Sequence, residues 1–162
     1  QPSFEVLAET AATRGLWLAV GVVDLDDFKG INDSFGHLFG DEVLKELGIA
    51  LGGAVRGSDT VFRFGGDEFV ILSLVDTEEQ ALGLFTRVQA SANTTLTEMT
   101  PDGRAVTISV GYACCPGDSL EPMNELLAKA DQALYRAKAA GRNRVEDWHF
   151  QGATTGPIAP VG

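Results

Sequence analysis

Residues 16–24 read LWLAVGVVD, a short and almost unbroken apolar run, rich in β-branched residues, that stops at a carboxylate. A strand with one wet face would alternate, so a continuous run predicts a central strand covered on both faces. With 44% hydrophobic residues in 162, the chain suits one compact domain with a real core and leaves little room for a second.

The run sits inside a definite order of patterns. Ahead of it, QPSFEVLAE already lies in a helical stripe of Phe4, Leu7, Ala8 and Ala11, so the chain reads as a piece cut from a longer protein. Behind it comes the polar segment DDFKGINDSFGH, with short helical turns, and then residues 41–55, where Leu44, Leu47, Leu51 and Val55 share one helical face. Residues 59–64 and 69–74 read as two strands joined by a Gly65-Gly66 turn, glycine accepting the positive φ that such turns demand. Thr77 with Gln80 resembles a capping box, and Ala81, Phe85, Val88 and Ala92 continue a helical stripe behind it. Residues 105–113 alternate Val106, Ile108, Val110 and Tyr112 against smaller residues, the pattern of a strand with one face in the core. Pro122 stands at the expected first position of a helix that Gly141 ends, and RVEDW reads as a last strand.

This order predicts an α+β fold: a ferredoxin-like βαββαβ core with an antiparallel-type central sheet and helices on one face. QGATTGPIAPVG lacks periodicity and reads as a mobile tail, which divides the chain into a domain over residues 1–149 and a tail over 150–162.

The formal net charge is −11, so the surface as a whole repels nucleic acid, and a polyanionic ligand needs a local basic cluster or metal ions. The adjacent Cys114 and Cys115 make neither a disulfide framework nor a zinc-ligand spacing. They read as small buried hydrophobes in a reducing cytoplasm. No run is long enough to span a bilayer, so a soluble domain is expected, cytoplasmic in itself or as part of a membrane-anchored protein.

The stretch FRFGGDEFVIL, residues 62–72, sets two glycines and two adjacent carboxylates between two strands. In the predicted sheet the acidic end of the first strand lies beside this hairpin, so Asp24 faces Asp67 and Glu68. Carboxylates gathered in this way repel unless a cation sits among them, and an all-oxygen set favours Mg²⁺ or Mn²⁺ over zinc. An ordinary acidic turn also satisfies the tetrapeptide taken alone. Phe28-Lys29 can offer backbone N–H groups and a charge to phosphates, and KAAGRNR brings Lys138 and Arg142 one turn apart at a helix end. Asn32 and Asp41 suit a purine, since an amide both donates and accepts while a carboxylate matches the paired N–H groups of a guanine edge. Local capping is the alternative for each of these. A metal, a triphosphate grip and a guanine reader together point to GTP.

Four segments then carry a family resemblance over residues 22–145: DLDDFKGINDSFGHLFGDEVL, RGSDTVFRFGGDEF, TISVGYA and ADQALYRAKAAGRNRV. In this order they resemble the GGDEF domain, the diguanylate cyclase family. The resemblance implies a fold related to nucleotidyl cyclase and polymerase palm domains, and a reaction in which two GTP give cyclic di-GMP and two pyrophosphates across a homodimer. It also implies that Asp24, Asp67, Glu68 and the Leu25 carbonyl bind metal, with Glu68 helping to deprotonate the attacking 3′-hydroxyl. By the same resemblance Asn32 and Asp41 contact guanine, Gly65 and Gly66 allow close approach, and Phe28, Lys29, Lys138 and Arg142 meet the phosphates. A subgroup that accepts ATP replaces the carboxylate at Asp41 with a small neutral residue. Its presence here favours guanine on both sides.

Arg56-Gly57-Ser58-Asp59 resembles the family's RxxD inhibitory site, to which Arg87 would add a second arginine; out of context a helix-end arginine and a turn aspartate would be the plainer reading, but beside the other segments the resemblance favours a ligand site and implies product inhibition through Arg56 and Asp59. Three functions fit these residues: an active cyclase, a cyclic di-GMP or GTP sensor without turnover, and an interaction domain. The intact tetrad favours the first. The family's opening motif, of the LTGLxNRR kind, is missing ahead of Gln1, so an upstream sensory or dimerising module is expected. Asp27 adds negative charge beside the phosphate-facing backbone, and His37 is read as structural.

Overall fold

A computed structural model describes residues 1–148, and the expected tail lies outside them. The elements run α1 (Phe4–Arg14), β1 (Trp17–Leu25), α2 (Phe28–Phe35), α3 (His37–Ala54), β2 (Thr60–Gly65), β3 (Glu68–Val75), α4 (Glu78–Met99), β4 (Ile108–Pro116), α5 (Met123–Ala139) and β5 (Val145–Asp147). The strands form one sheet in the order β2-β3-β1-β4-β5.

The central strand is where the apolar run predicts it. Ala19, Val23 and Leu25 of β1 belong to a core shared with α2, α3 and α4, while Leu18, Val20 and Val22 belong to a second core with α1 and α5. The helices therefore cover both faces of the sheet, not one. The two crossover helices of the βαββαβ unit lie together, as that fold requires, and the flanking α1 and α5 close the opposite face. The sheet is also mixed. β1 pairs antiparallel with β3 and β4, but β5 runs parallel to β4, because the helix between them carries the chain back to the end from which β4 started.

Three local expectations shift. β4 begins at Ile108, not residue 105, because α4 side chains take up the preceding backbone: the Val106 N–H donates to Thr97 Oγ1 (3.0 Å) and the Ile108 N–H to Asn93 Oδ1 (2.9 Å). β4 is buried on both faces. The hairpin turn is Gly66-Asp67, with Gly65 paired to Glu68, and neither glycine has positive φ. A register shift between Arg63 and Gly65 supplies the local twist that a positive-φ turn would otherwise give. Pro122 is the extended residue just ahead of α5, not its first. Thr77 caps α4, its hydroxyl accepting from the Gln80 N–H (3.3 Å), and the returning bond of the expected capping box runs one residue earlier, from the Asp76 N–H to Gln80 Oε1 (2.8 Å).

α5 packs close to the sheet because its inward stripe is rich in alanine: Leu126, Ala130, Ala133, Leu134 and Ala137 are buried. Its partner on β4 is Gly111, where an added Cβ would stand within 2.6 Å of Leu134 Cα and closer still to Ala130 O. This close docking brings Lys138, in the last turn of α5, to the end of β1. Cys115 is buried and Cys114 partly so, both as free thiols, and burial lifts the Cys114 thiol to about 12. Among the described residues no helix is long and apolar enough to cross a membrane.

Candidate active site

The β1–β3 ladder ends on the pair Asp24 and Glu68, so register alone sets two carboxylates side by side on the face that α5 covers. Asp67, in the turn, accepts the Leu25 N–H through its carbonyl (3.4 Å), and its carboxylate acts on that of Asp24. Lys138 Nζ lies 2.7 Å from Asp24 Oδ2 and 3.7 Å from Asp26 Oδ1. Burial raises the Asp24 carboxyl from 3.8 to about 6; Lys138 opposes this and Asp67 adds to it. Glu68 is raised too, by burial first and then by the charges of Asp131 and Asp67.

These shifts have a consequence for folding. Between pH 4 and 6 the folded domain holds a proton on Asp24 that the unfolded chain has released, so stability falls as pH rises through about 6. Asp24→Asn should remove much of this slope. At pH 7.5 the variant should unfold at higher urea than the parent by on the order of 1–2 kcal/mol, the partial exposure of the site limiting the gain. Equal slopes in parent and variant between pH 4.5 and 7.5 would contradict the assignment.

The carboxylates are not a finished cage: among the described residues no three His, Cys, Asp or Glu side chains converge closely enough to hold a metal ion by themselves. Mutual repulsion and the Lys138 ammonium account for this. The donor set still fits a hard divalent cation arriving with phosphates, since Mg²⁺ is commonly held by one or two carboxylates plus substrate oxygens. Asp24 Oδ1 in particular is buried and has no hydrogen-bond partner.

A second orphaned oxygen lies on α2. Asn32 Oδ1 is buried without a partner, set against Gly40 of α3 and close to Phe28. Asp41 follows on α3 and is exposed, as is His37 at the start of that helix. α2 is capped by its own Asp27, whose carboxylate accepts the Gly30 N–H (3.2 Å). Lys29 is exposed and pairs with Asp33 (2.9 Å), which raises its pKa. Phe28 is half-buried against the core, leaving its ring more a wall than a contact. Arg142 is exposed, one turn beyond Lys138.

Two features escaped the sequence reading. Gly40 is needed because an added Cβ would occupy the place of Asn32 Oδ1. Arg63 donates to the carbonyls of Gly65 and Gly66 and so braces the turn; as the sole cation in FRFGGDEFVIL it carried a signal. At Gly65 and Gly66 an added Cβ would meet nothing within 4 Å, which leaves open space in front of the turn.

The expected inhibitory residues divide. Arg56 and Arg87 line one cleft of about 410 Å³ with Val75, Gln80, Gly83 and Leu84. Asp59 turns inward and is 1% exposed. Its Oδ1 accepts from Ser73 Oγ (2.7 Å) and Arg56 Nη2 (3.3 Å), and its Oδ2 from Arg56 N (2.8 Å) and Nε (3.4 Å). The acceptor sites of this carboxylate are thus used internally.

The fold and site define a class of α+β domain in which a five-stranded mixed sheet sets an acidic hairpin against a lysine-bearing helix. Residues 2–144 match the family described as diguanylate cyclase, GGDEF domain, and the chain belongs to that family. It is 41% identical over 139 residues to the diguanylate cyclase DosC of Escherichia coli K12, covering 85% of this chain and 30% of DosC. It is 40% identical over 129 residues to the diguanylate cyclase DgcP of Pseudomonas aeruginosa, covering 80% of this chain and 19% of DgcP. The chain thus spans less than a third of the length of these relatives. The GGDEF domain of DgcB from Caulobacter crescentus, solved in complex with c-di-GMP, superimposes with a TM-score of 0.77 at 27% identity, covering 90% of this chain and 85% of that one. The active GGEEF domain of a Vibrio cholerae diguanylate cyclase gives 0.77 at 28% identity, covering 89% and 90%.

Proposed function

We propose that this domain is a diguanylate cyclase, condensing two GTP into cyclic di-GMP with release of two pyrophosphates. The observation that carries the reading is the pair of orphaned buried oxygens, Asp24 Oδ1 and Asn32 Oδ1, which in this reading receive the metal and the guanine respectively. A buried acceptor without a donor costs free energy that a ligand would recover.

In this reading Asn32 and Asp41 hold guanine, and the open face at Gly65 and Gly66 admits the phosphates. Arg142, Lys29 and Lys138 neutralise them, Lys138 leaving Asp24 as phosphate arrives. Asp24, Asp67, Glu68 and the Leu25 carbonyl would hold Mg²⁺ or Mn²⁺, which when bound would polarise the α-phosphate and stabilise the leaving pyrophosphate. Glu68, raised by burial and by neighbouring carboxylates, accepts the proton of the attacking 3′-hydroxyl. One domain holds one GTP, so both linkages require two domains facing each other about a two-fold axis.

Product should be resolved chromatographically from GTP and Mg²⁺ over a range of protein concentrations. Cyclic di-GMP formed at a specific rate that rises with concentration supports a cyclase assembled as a dimer. Binding of cyclic di-GMP without turnover at any concentration would instead make the domain a sensor. Gly40→Ala should weaken GTP binding about tenfold by expelling the Asn32 amide from its place, the cost of one good hydrogen bond to the base. Calorimetry showing unchanged affinity would remove Asn32 from the site.

The cleft between Arg56 and Arg87 suits the phosphates of the product. Asp59 acts there by holding Arg56, because its own oxygens are occupied. Arg87→Ala, which breaks no ion pair among the described residues, should raise the product concentration giving half-inhibition at least fivefold while leaving the uninhibited rate intact. An unmoved inhibition curve would discard the cleft.

A further inference from the structure

The catalytic end of the sheet contains, besides Asp24 and Asp67, a further aspartate, Asp26, which none of the roles above uses. It is 7% exposed and accepts three hydrogen bonds: from Thr107 Oγ1 (2.7 Å), from Ser109 Oγ (2.7 Å) and from the backbone N–H of Asn143 (3.0 Å). Thr107 and Ser109 flank the start of β4. Asn143 lies in the turn after α5, 117 residues away in the chain.

That turn is strained. Arg142 and Asn143 are consecutive non-glycine residues with φ of 63° and 50°, the left-handed region, which asparagine tolerates and arginine does not favour. Such a conformation persists only where its surroundings hold it. Besides Asp26, the Asn143 N–H reaches Ser109 Oγ (3.1 Å), and the Arg142 N–H donates to Ala137 O (2.9 Å). The Asn143 Oδ1 accepts from Asn93 Nδ2 (2.8 Å) and Gln89 Nε2 (3.1 Å) of α4. The turn is gripped together from β4, from α4 and from Asp26, the residue that follows β1. The residue forced into the unfavourable backbone is Arg142, the cation proposed above for the triphosphate.

We infer that Asp26, through the N–H of Asn143, is a positioning residue that holds the turn over residues 141–144 in its left-handed form and thereby aims Arg142 at the triphosphate. The inference rests on the nucleotide reading of the site. Asp26 touches no substrate atom in it. Its effect falls on the phosphate end alone, because guanine is read on α2 and α3, whose contacts Asp26 does not make.

The test measures binding of α,β-methylene GTP with Mg²⁺, and separately of guanosine, by chemical-shift titration of the domain and its variants. Asp26→Ala, which removes both acceptor oxygens where asparagine would keep one for the Asn143 N–H, should weaken the triphosphate about tenfold and leave guanosine within twofold. The change also frees Lys138, whose Nζ lies 3.7 Å from Asp26 Oδ1, and a freed ammonium favours phosphate, so that lysine does not carry the weakening. In an Arg142→Ala background the same change should cost less than twofold, since Asp26 acts through that arginine. Asn143→Ala, which leaves Asp26 intact but removes the grip of Gln89 and Asn93, should reproduce the pattern if Asp26→Ala is too unstable to study. Amide exchange without nucleotide supplies an independent readout: Asn143 and its neighbours should exchange faster in Asp26→Ala, with β1 and β3 unchanged. Equal losses for guanosine and the triphosphate would overturn the inference, as would undiminished losses in the Arg142→Ala background. A parent domain that binds neither probe would overturn the nucleotide reading and the positional role with it, whereas a failure of the inference alone would leave parent binding intact.

Discussion

Glu68→Gln is expected to lower cyclic di-GMP formation by about a thousandfold while the domain still folds and still binds GTP. The amide keeps the size and one acceptor of the carboxylate but cannot take a proton, and loss of a positioned general base commonly costs 10²–10⁴ in rate. Glu68 is suited to the task by its neighbours: it ends the β1–β3 ladder opposite Asp24, and burial with the charges of Asp131 and Asp67 raises its pKa. Folding should be intact because these same contacts oppose the charged form, so a neutral residue relieves repulsion. Product formation should be followed by chromatography and folding by urea denaturation. A variant that retains a tenth of the parent rate would show that the proton leaves by another route, and the role assigned to Glu68 would have to be withdrawn.

Gly111→Ala is expected to destabilise the domain by about 3 kcal/mol or more, the upper range for forcing atoms into a packed interior. The added methyl group would run into the backbone of α5 at Ala130 and Leu134, which cannot rotate aside as a side chain could. Relief would require α5 to lift from β4, dragging Lys138 away from Asp24, so nucleotide binding should weaken in step. Gly52→Ala in α3 is the natural control. Nothing lies within 4 Å of its added Cβ, and the helix gains from replacing glycine, so it should be neutral or stabilising by up to about 1 kcal/mol. If both variants unfolded at the parent's urea concentration, the close docking of α5 would not be a determinant of stability.

The element order was readable because it rests on short-range patterns. The run over residues 16–24, the stripe of α3 and the capping box at Thr77 each involve residues within a few turns of one another. Errors occurred where a distant element intervened. Residues 105–107 have a strand-like alternation, but Thr97 and Asn93 of α4 bind the backbone that a partner strand would have used. The glycines of the hairpin suggested a positive-φ turn, whereas a register shift one residue earlier bends the chain without it. The RxxD spacing leaves Asp59 free to face a ligand, whereas Ser73 and Arg56 turn it inward.

The site shows the same division. Residue type and spacing, with the family pattern they form, single out Asp24, Asp67, Glu68, Asn32 and Asp41 as candidates, because the metal and guanine recognition proposed for them restricts which side chains can serve. Which atoms remain free to serve depends on packing. Lys138 resting on Asp24, the orphaned oxygens of Asp24 and Asn32, the requirement for Gly40 and the hold of Asp26 on Asn143 all depend on how separate elements pack. Periodicity carries no information about such pairs. They follow from how closely the α5 backbone settles on β4 and α3 on α2, and only the folded chain sets those distances.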